Sequence, residues 1–284
     1  MASVSKWPVG VFMSLDAGLG VKWEVVRELG IRSIQMHTPH AGSRTTAGAA
    51  AFRRQLEDAG VELSVVFCGY DGESYADIPT VARTIGLVPP EMRGARVQET
   101  KEIADFTALL GAPAIGLHIG FVPHDTTDPM YGEVIGVTRE ICDYCTALGL
   151  RVHLETGQEP ADVLRRFLED VQRTNLFINF DPANMILYGC GEPLPALRHV
   201  SDYVRSVHCK DATWSAQPGV TWGCEVPFGT GQVDAGAFLR TLYEIGYDGP
   251  LTIEREIPQD PERQKAEIGQ AMECILRIED EIFG

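Results

Sequence analysis

Residues 147–181 read ALGLRVHLETGQEPADVLRRFLEDVQRTNLFINFD and decide the fold class of the chain. Gly149 follows a helical stretch, and glycine readily adopts the left-handed conformation that ends a helix. Residues 151–155 and 176–180 form short, largely apolar runs, which are typical of parallel strands covered by helices. Between them, after Pro160, apolar residues recur at the spacing of one helix face. The stretch therefore predicts a strand–helix–strand unit with parallel strands.

The same pattern recurs along the whole chain. Helical stretches that end in glycine are followed by an apolar run at Gly30, Gly60, Gly111, Gly149 and Gly246. The candidate strands between these marks are residues 9–13, 33–37, 63–68, 114–119, 151–155, 176–180, 204–209 and 250–254. Eight β/α units in 284 residues favour an α/β protein with one (β/α)8 TIM-barrel domain over residues 1–284. A doubly wound open sheet is the alternative.

Composition excludes several classes of function. The chain has 24 Lys and Arg against 40 Asp and Glu, a formal charge of −16, which argues against nucleic-acid and anionic-membrane surfaces. No apolar run approaches a membrane span, and residues 1–10 lack the apolar core of a secretion signal. The seven scattered cysteines indicate reduced thiols, and Cys142 and Cys145 are interpreted as helix packing. We therefore expect a cytoplasmic protein.

Ligand-type side chains stand at the ends of four consecutive predicted strands. They are Glu155, Asp181, His208 and Glu254. In a barrel these four ends are neighbours on one rim, where barrel enzymes keep their active sites. Three carboxylates and one imidazole suit one divalent ion such as Mn²⁺, Mg²⁺, Co²⁺ or Zn²⁺. The alternative for Asp181, which precedes Pro182, is that it caps the next helix.

The motifs LETGQE, NFDPAN, VHCKD, GTGQVD and LTIERE carry a family resemblance. The chain resembles the xylose isomerase-like TIM-barrel superfamily, and more narrowly its sugar phosphate isomerase/epimerase group. That group is related to tagatose/psicose 3-epimerases, hydroxypyruvate isomerase and inosose dehydratase. The resemblance implies that Glu155, Asp181, His208 and Glu254 hold one metal, and that Glu155 and Glu254 form the catalytic acid/base pair.

The chain also departs from the ketose 3-epimerases at two places. Those enzymes carry a histidine three residues after the strand-six aspartate, where this chain has Asn184. They use a further glutamate shortly after the strand-five ligand, where Gln158 and Glu159 are near but not clearly equivalent. These departures weaken the expectation of a plain ketose 3-epimerase.

The expected activity is that of a metal-dependent sugar isomerase or epimerase that transfers protons between carboxylates through a metal-stabilised enediolate. A keto-sugar or keto-inositol dehydratase or lyase with the same metal site is the alternative. An apurinic endonuclease would need a larger, histidine-rich zinc site and a basic face, and a non-catalytic sugar-binding barrel would not need all four ligands. The expected partner is a small carbohydrate, without nucleic acid or membrane; phosphorylation of the sugar and homo-oligomerisation are left open.

Further side chains near the strand ends are predicted to bind the substrate. They are His37, His118, Gln158, Asn184, Lys210 and Trp222. For the histidines the alternative is a structural role in the core or rim, and for Trp222 plain packing. Residues 69–93 and 211–231 are too long for simple connectors, so we expect binding loops there, with residues 69–93 acting as a lid.

Overall fold

A computed structural model describes residues 7–284, and eight parallel strands form its closed barrel. The barrel strands are β1 (Val9–Ser14), β2 (Ser33–His37), β3 (Glu62–Phe67), β4 (Ala114–Leu117), β5 (Arg151–Glu155), β6 (Leu176–Phe180), β7 (Val204–Cys209) and β10 (Leu251–Ile253). Their order around the barrel is β1-β10-β7-β6-β5-β4-β3-β2. The predicted TIM barrel is confirmed, and the open doubly wound sheet is wrong because both edges of the sheet meet.

Helices surround this barrel. They are α1 (Trp23–Glu28), α2 (Thr46–Ala59), α3 (Ile78–Thr84), α4 (Pro90–Leu110), α5 (Pro129–Ala147), α6 (Ala161–Val171), α7 (Pro182–Tyr188), α8 (Pro193–His199), α9 (Ala235–Glu244) and α10 (Pro261–Phe283). The main apolar core lies between strands and helices and includes Cys142 and Cys145 as buried free thiols. No helix among residues 7–284 combines the length and apolarity needed to cross a membrane.

The helix-ending glycines take the predicted conformation. Gly30, Gly60, Gly111, Gly149 and Gly246 have φ values between +61° and +78°. These values lie in the left-handed region that side chains with a Cβ atom rarely occupy. The pattern that predicted the β/α units therefore has a direct backbone cause.

The two long segments are more regular than predicted. Residues 69–93 contain α3, whose first turn is capped by Asp77 because its Oδ1 accepts a hydrogen bond from Thr80 N at 2.7 Å. Residues 211–231 contain a hairpin of β8 (Asp211–Thr213) and β9 (Cys224–Val226). Both segments thus contain regular secondary structure, and their roles as binding loops and as a lid stay predictions.

Strand and helix bounds differ from the predictions by a few residues. Strand β4 ends at Leu117, and β10 ends at Ile253, so Glu254 directly follows its strand. Glu254 N still donates to Cys209 O at 3.4 Å, which keeps this residue at the rim. Pro160 precedes α6 instead of opening it. The prediction about a secretion signal rests in part on residues 1–6, which lie outside the described residues.

The barrel interior is unusually polar below the rim. Gln35 on β2 donates from Nε2 to Asn179 Oδ1 on β6 at 3.1 Å, across the barrel. His153 Nδ1 lies 2.8 Å from Ser206 Oγ, which joins β5 to β7. Buried polar groups are costly unless they are hydrogen-bonded, so these contacts fix the side chains that stand beneath the site.

Candidate metal centre and active site

Four side chains from four adjacent strand ends meet at the rim of the barrel. His208 Nδ1 lies 2.7 Å from Glu155 Oε1, 3.0 Å from Glu254 Oε2 and 3.5 Å from Asp181 Oδ2. One ligand atom from each of the four residues lies within 4.8 Å of all the others. The predicted convergence of Glu155, Asp181, His208 and Glu254 is therefore present in the structure.

The ligand atoms of this cluster are better placed to bind a cation than to form hydrogen bonds with one another. His208 Nδ1 and Asp181 Oδ2 are buried, and neither makes a well-aligned hydrogen bond, although their distances to neighbours are short. Metal bonds of about 2.0–2.2 Å place neighbouring ligands about 3 Å apart, which is close to the observed separations. The residues present therefore suit one divalent ion bound by oxygen atoms and one nitrogen.

Gln35 determines which nitrogen of His208 faces the cluster. His208 Nε2 lies 2.7 Å from Gln35 Oε1, an atom that can only accept, so Nε2 carries the hydrogen. The lone pair of Nδ1 is then available to an ion, which is how outer partners usually orient a ligand histidine. Sequence reasoning missed Gln35; the only signal was an amide within the apolar run of β2.

Replacing Gln35 by leucine should weaken the binding of Mn²⁺ by about 10–100-fold, because the histidine loses the partner that fixes its tautomer. Calorimetric titration of the two proteins with Mn²⁺ measures this change. Ser33→Ala is the matched control, since Ser33 is buried on the same strand and its Oγ has no partner. Wild-type Mn²⁺ affinity in a folded Gln35→Leu protein would exclude the orienting role.

Asp181 both caps the next helix and directs one oxygen atom to the cluster, and these are the two alternatives that the sequence left open. Its Oδ1 accepts from Asn184 N at 3.0 Å and caps α7, while Oδ2 points to the cluster. Thr156 Oγ1 accepts from Asp181 N at 2.8 Å and so fixes the start of this turn. Burial raises the pKa of Asp181 to about 6, as expected for a carboxyl group in a closed site.

Two donors, His118 and Asn184, hold Glu155. His118 Nε2 lies 3.0 Å from its Oε2, and Asn184 Nδ2 donates to its Oε1 at 3.4 Å. Burial opposes ionisation of Glu155, but the charges of His118 and of His208, which is protonated when no ion occupies Nδ1, outweigh it and lower the pKa to about 2. Gln158 Nε2 in turn lies 3.1 Å from His118 Nδ1. Glu155 is therefore an ionised, well-oriented carboxylate.

Glu254 has a different partner. Lys210 Nζ donates to Glu254 Oε2 at 3.1 Å, and the lysine side chain is only 4% exposed. Burial again opposes ionisation, but Lys210 and His208 hold the pKa of Glu254 well below its usual value. Lys210 also lies 3.6 Å from Glu256 Oε1. The two glutamates of the cluster thus sit beside different cationic groups, on β5 and after β10.

A cavity of about 940 Å³ opens above the cluster. Of the residues predicted to be catalytic or to bind substrate, the wall includes Glu155, Glu254, His37, His118, Asn184, Lys210 and Trp222. Gln158 lies behind His118 and outside the wall, and its role in substrate binding stays a prediction. Asp181 and His208 lie beneath the cavity floor, as expected of ligands without substrate contact. Whether the wall residues bind substrate stays a prediction.

A family model of xylose isomerase-like TIM barrels matches residues 23–278. The chain belongs to this family. A crystal structure of a xylose isomerase domain protein from Planctomyces limnophilus is 56% identical, with a TM-score of 0.95 over 97% of this chain and 98% of that one.

Other matches are more distant, and the solved structures among them share the fold. One from Mycobacterium smegmatis, in complex with magnesium, is 18% identical, with a TM-score of 0.70 over 99% of this chain and 100% of that one. A D-psicose 3-epimerase structure is 17% identical, with a TM-score of 0.66 over 94% and 97%. An inosose dehydratase from Lacticaseibacillus casei is 25% identical over 154 residues, 49% of this chain. That match spans about half the length of the curated relative.

Aromatic residues that the sequence did not single out complete the wall of this xylose isomerase-like site. They are Phe12, Phe67, Tyr70, Tyr75 and Tyr188. The Tyr188 and Trp222 rings meet edge to face, with centroids 4.6 Å apart. Gly157 has a φ of +149°, and a Cβ there would lie 2.8 Å from Asn184 Cβ, so glycine lets this wall close.

Glu159 is a buried carboxyl group of the same barrel, four residues after Glu155. Its Oε1 accepts from Val122 N at 2.8 Å, and burial raises its pKa from 4.5 to about 8. The folded state therefore binds this proton more tightly than the unfolded chain. Its contribution to stability is complete below pH 4.5 and is lost as the pH rises through 8.

Glu159→Gln should remove this pH dependence, because the amide keeps the contact to Val122 and does not ionise. Relative to the variant, the wild type should lose about 1.4 kcal/mol of unfolding free energy per pH unit within that window. Urea unfolding of both proteins at several pH values measures the difference, in which the other titrating groups cancel. If the unfolding free energies of the two proteins change with pH in parallel, Glu159 ionises with a normal pKa in the folded protein.

Proposed function

We propose that the protein is a divalent-metal-dependent isomerase or epimerase of a carbohydrate, which moves a proton between carbon positions or faces through an enediolate. The observation that carries this proposal is the pair Glu155 and Glu254, which line the cavity and lie 2.7 Å and 3.0 Å from the same atom, His208 Nδ1. Mn²⁺, Mg²⁺, Co²⁺ and Zn²⁺ all accept such ligands.

The bound ion would act as a Lewis acid toward a carbonyl and its neighbouring hydroxyl and would stabilise the negative charge of the enediolate. The protein's own groups then move the proton. One glutamate takes it from carbon, and the other carboxyl group, or the same one, returns it to another carbon or another face. Because both pKa values are lowered, both carboxylates are ionised at neutral pH, which is the state that a metal ligand and a general base both require.

The side chains around the two glutamates are consistent with proton transfer by these two carboxylates. His118 and Asn184 hold Glu155 in place, whereas Lys210 holds Glu254, and His208 contacts both glutamates. Lys210 Nζ can also donate to a substrate oxygen once Glu254 moves toward carbon, because an ammonium group offers three donors. These contacts orient the carboxylates before the substrate arrives, which lowers the cost of reaching the reactive geometry.

Dehydration of a keto-sugar or keto-inositol is the second candidate. It starts with the same proton abstraction, after which a β-hydroxyl group leaves as water. Two observations favour it: Asn184 stands where ketose 3-epimerases have a histidine, and an inosose dehydratase is among the relatives. The same carboxylates would act as base and as acid toward the leaving hydroxyl.

Turnover of keto-sugars in D₂O, followed by NMR with Mg²⁺ or Zn²⁺ to avoid line broadening, tests the proposal. An isomerase or epimerase gives a product of unchanged mass apart from carbon-bound deuterium, whereas a dehydratase product has lost one water. Turnover without carbon-bound deuterium at any extent of reaction would contradict proton transfer by exchanging carboxylates. A hydride shift or a fully shielded proton transfer would then remain, and labelled substrate separates those two.

A further inference from the structure

Every cation in the wall of the cavity already has a carboxylate partner. Arg44 Nη2 lies 2.6 Å from Glu99 Oε1, and Lys210 Nζ lies 3.1 Å from Glu254 Oε2. Arg255 is paired twice, with Glu225 at 2.8 Å and with Glu267 at 2.9 Å. Recognition of a phosphate group uses free arginine or lysine donors. No lysine or arginine in this wall offers an unpaired charge.

The wall carries more negative than positive charge even without the metal ligands. Beyond Glu155 and Glu254, its carboxylates are Asp71, Glu73, Glu99, Glu225 and Glu256, against the cations Arg44, Lys210 and Arg255 and against His118, whose pKa is raised beside its partner Glu155. Glu99 and Glu225 pair with Arg44 and Arg255, so a phosphate dianion in this cavity would face the further carboxyl groups of Asp71, Glu73 and Glu256. Like charges in a partly enclosed site oppose binding, so the wall discriminates against anionic ligands.

Three further groups bear on the count of positive charges in the wall, namely Arg44 Nη1, His37 and His40. Arg44 Nη1 has no hydrogen-bond partner, but the atom is fully buried and does not reach the cavity. Burial lowers the pKa of His37, which is therefore neutral at pH 7. The backbone N of His40 donates to Asp16 Oδ1 at 3.0 Å, which holds this histidine beside a carboxylate. Neither Arg44 Nη1 nor His37 therefore supplies a free positive charge to the cavity at neutral pH.

The cavity is also larger than one sugar ring needs. Its volume of about 940 Å³ lies at the upper end of the range of about 300–1,000 Å³ that encloses drug-sized ligands. Tyr188 and Trp222 form one aromatic wall of the cavity. Tyr75 lies at the mouth of the cavity, where 49% of it is exposed and its ring centroid is 6.3 Å from that of His118. Flat aromatic faces offer apolar surface to the C–H face of a sugar ring, at low cost in conformational entropy.

We propose that this site takes an uncharged saccharide with a second ring beyond the reacting sugar, and excludes sugar phosphates. The inference rests on the proposed function, because it assumes that the reacting sugar lies over Glu155 and Glu254. The pairing of the wall's cations with carboxylates accounts for the exclusion of phosphate. The aromatic side chains provide the surface that contacts the second ring. The reacting keto group lies at the floor of the cavity, and the second ring lies between Tyr188, Trp222 and Tyr75.

Calorimetric titration of the Mg²⁺-loaded protein with four probes tests the inference. The probes are D-fructose, D-fructose 6-phosphate, isomaltulose and lactulose; the two disaccharides carry the second ring on different hydroxyl groups of a ketose. At least one disaccharide should bind about tenfold or more tightly than D-fructose, and the phosphate about tenfold or more weakly. Fructose 6-phosphate that binds as well as D-fructose would overturn the inference, as would two disaccharides that bind no better than D-fructose.

Two variants separate the two parts of the inference. Trp222→Ala should bring the ratio of disaccharide to D-fructose affinity close to one, because the second ring loses its aromatic surface. Glu225→Gln should raise the affinity for fructose 6-phosphate several-fold, because it frees Arg255 Nη1 from its carboxylate. Unchanged ratios in both folded variants would show that neither the aromatic wall nor the ion pairs select the ligand.

Failure of this inference can be told apart from failure of the proposed function. Heats of binding need no turnover, whereas deuterium exchange reports only chemistry. Tight binding of a disaccharide without exchange into any sugar would contradict the proposed function and leave the substrate class intact. Exchange into fructose 6-phosphate would leave the function intact and overturn the substrate class. Absence of binding by every uncharged probe at its solubility limit would also overturn it.

Discussion

Glu155→Gln and Glu254→Gln should each lower the rate of deuterium exchange into substrate carbon by about 10²-fold or more, the usual loss when a general base is removed. Glutamine keeps the size and the hydrogen-bonding oxygen of each side chain but cannot accept the proton. Exchange is followed by NMR in D₂O at saturating substrate. Exchange within tenfold of the wild type in either variant would contradict the acid/base assignment.

This experiment needs two controls, because both glutamates are also candidate ligands. Metal content must be measured by elemental analysis at each rate determination, so that loss of the ion is not mistaken for loss of the base. Glu256→Gln is the matched variant: its carboxylate lies 3.6 Å from Lys210 in the same wall, but its side chain is 74% exposed and outside the cluster. It should keep exchange within a few-fold of the wild type.

His208→Ala should abolish stoichiometric metal binding, with an affinity loss larger than the 10–100-fold typical of outer partners such as Gln35. The variant removes the only nitrogen of the cluster and leaves three carboxylates facing each other in a buried site. Activity should fall with metal content. Elemental analysis after dialysis, at matched total metal, measures the loss.

His153→Ala is the control for general damage to the barrel interior. His153 is buried on β5, and its pKa is lowered to about 3 by burial, so it resembles His208 in burial but lies outside the cluster. It should keep one ion per chain. Normal metal occupancy in His208→Ala would refute the four-residue site.

The sequence predicted the barrel and its rim because the decisive information is local. Gly149 ends one helix, Arg151–Glu155 is a short buried strand, and Glu155 is its last residue. Once the strands are parallel, topology brings Glu155, Asp181, His208 and Glu254 together without any further assumption. The resemblance to the family supported the same four residues.

What the sequence could not predict depends on contacts across the closed barrel. Gln35 lies 173 positions from His208 in the chain, and its role exists only because β2 faces the ligand strands. Helix α3 was missed because Asp77 as its cap and two buried residues are a weak local signal. The pairing of Arg255 with Glu225 joins the segment after β10 to the hairpin, which no local pattern indicates.

Anomalous diffraction from crystals grown with Mn²⁺ shows whether one divalent ion binds to these four strand ends. We expect one strong anomalous peak per chain, about 2.0–2.6 Å from His208 Nδ1 and from carboxylate oxygens of Glu155, Asp181 and Glu254. A map with no peak at this position under saturating Mn²⁺, or with its main peak elsewhere on the chain, would contradict the claim.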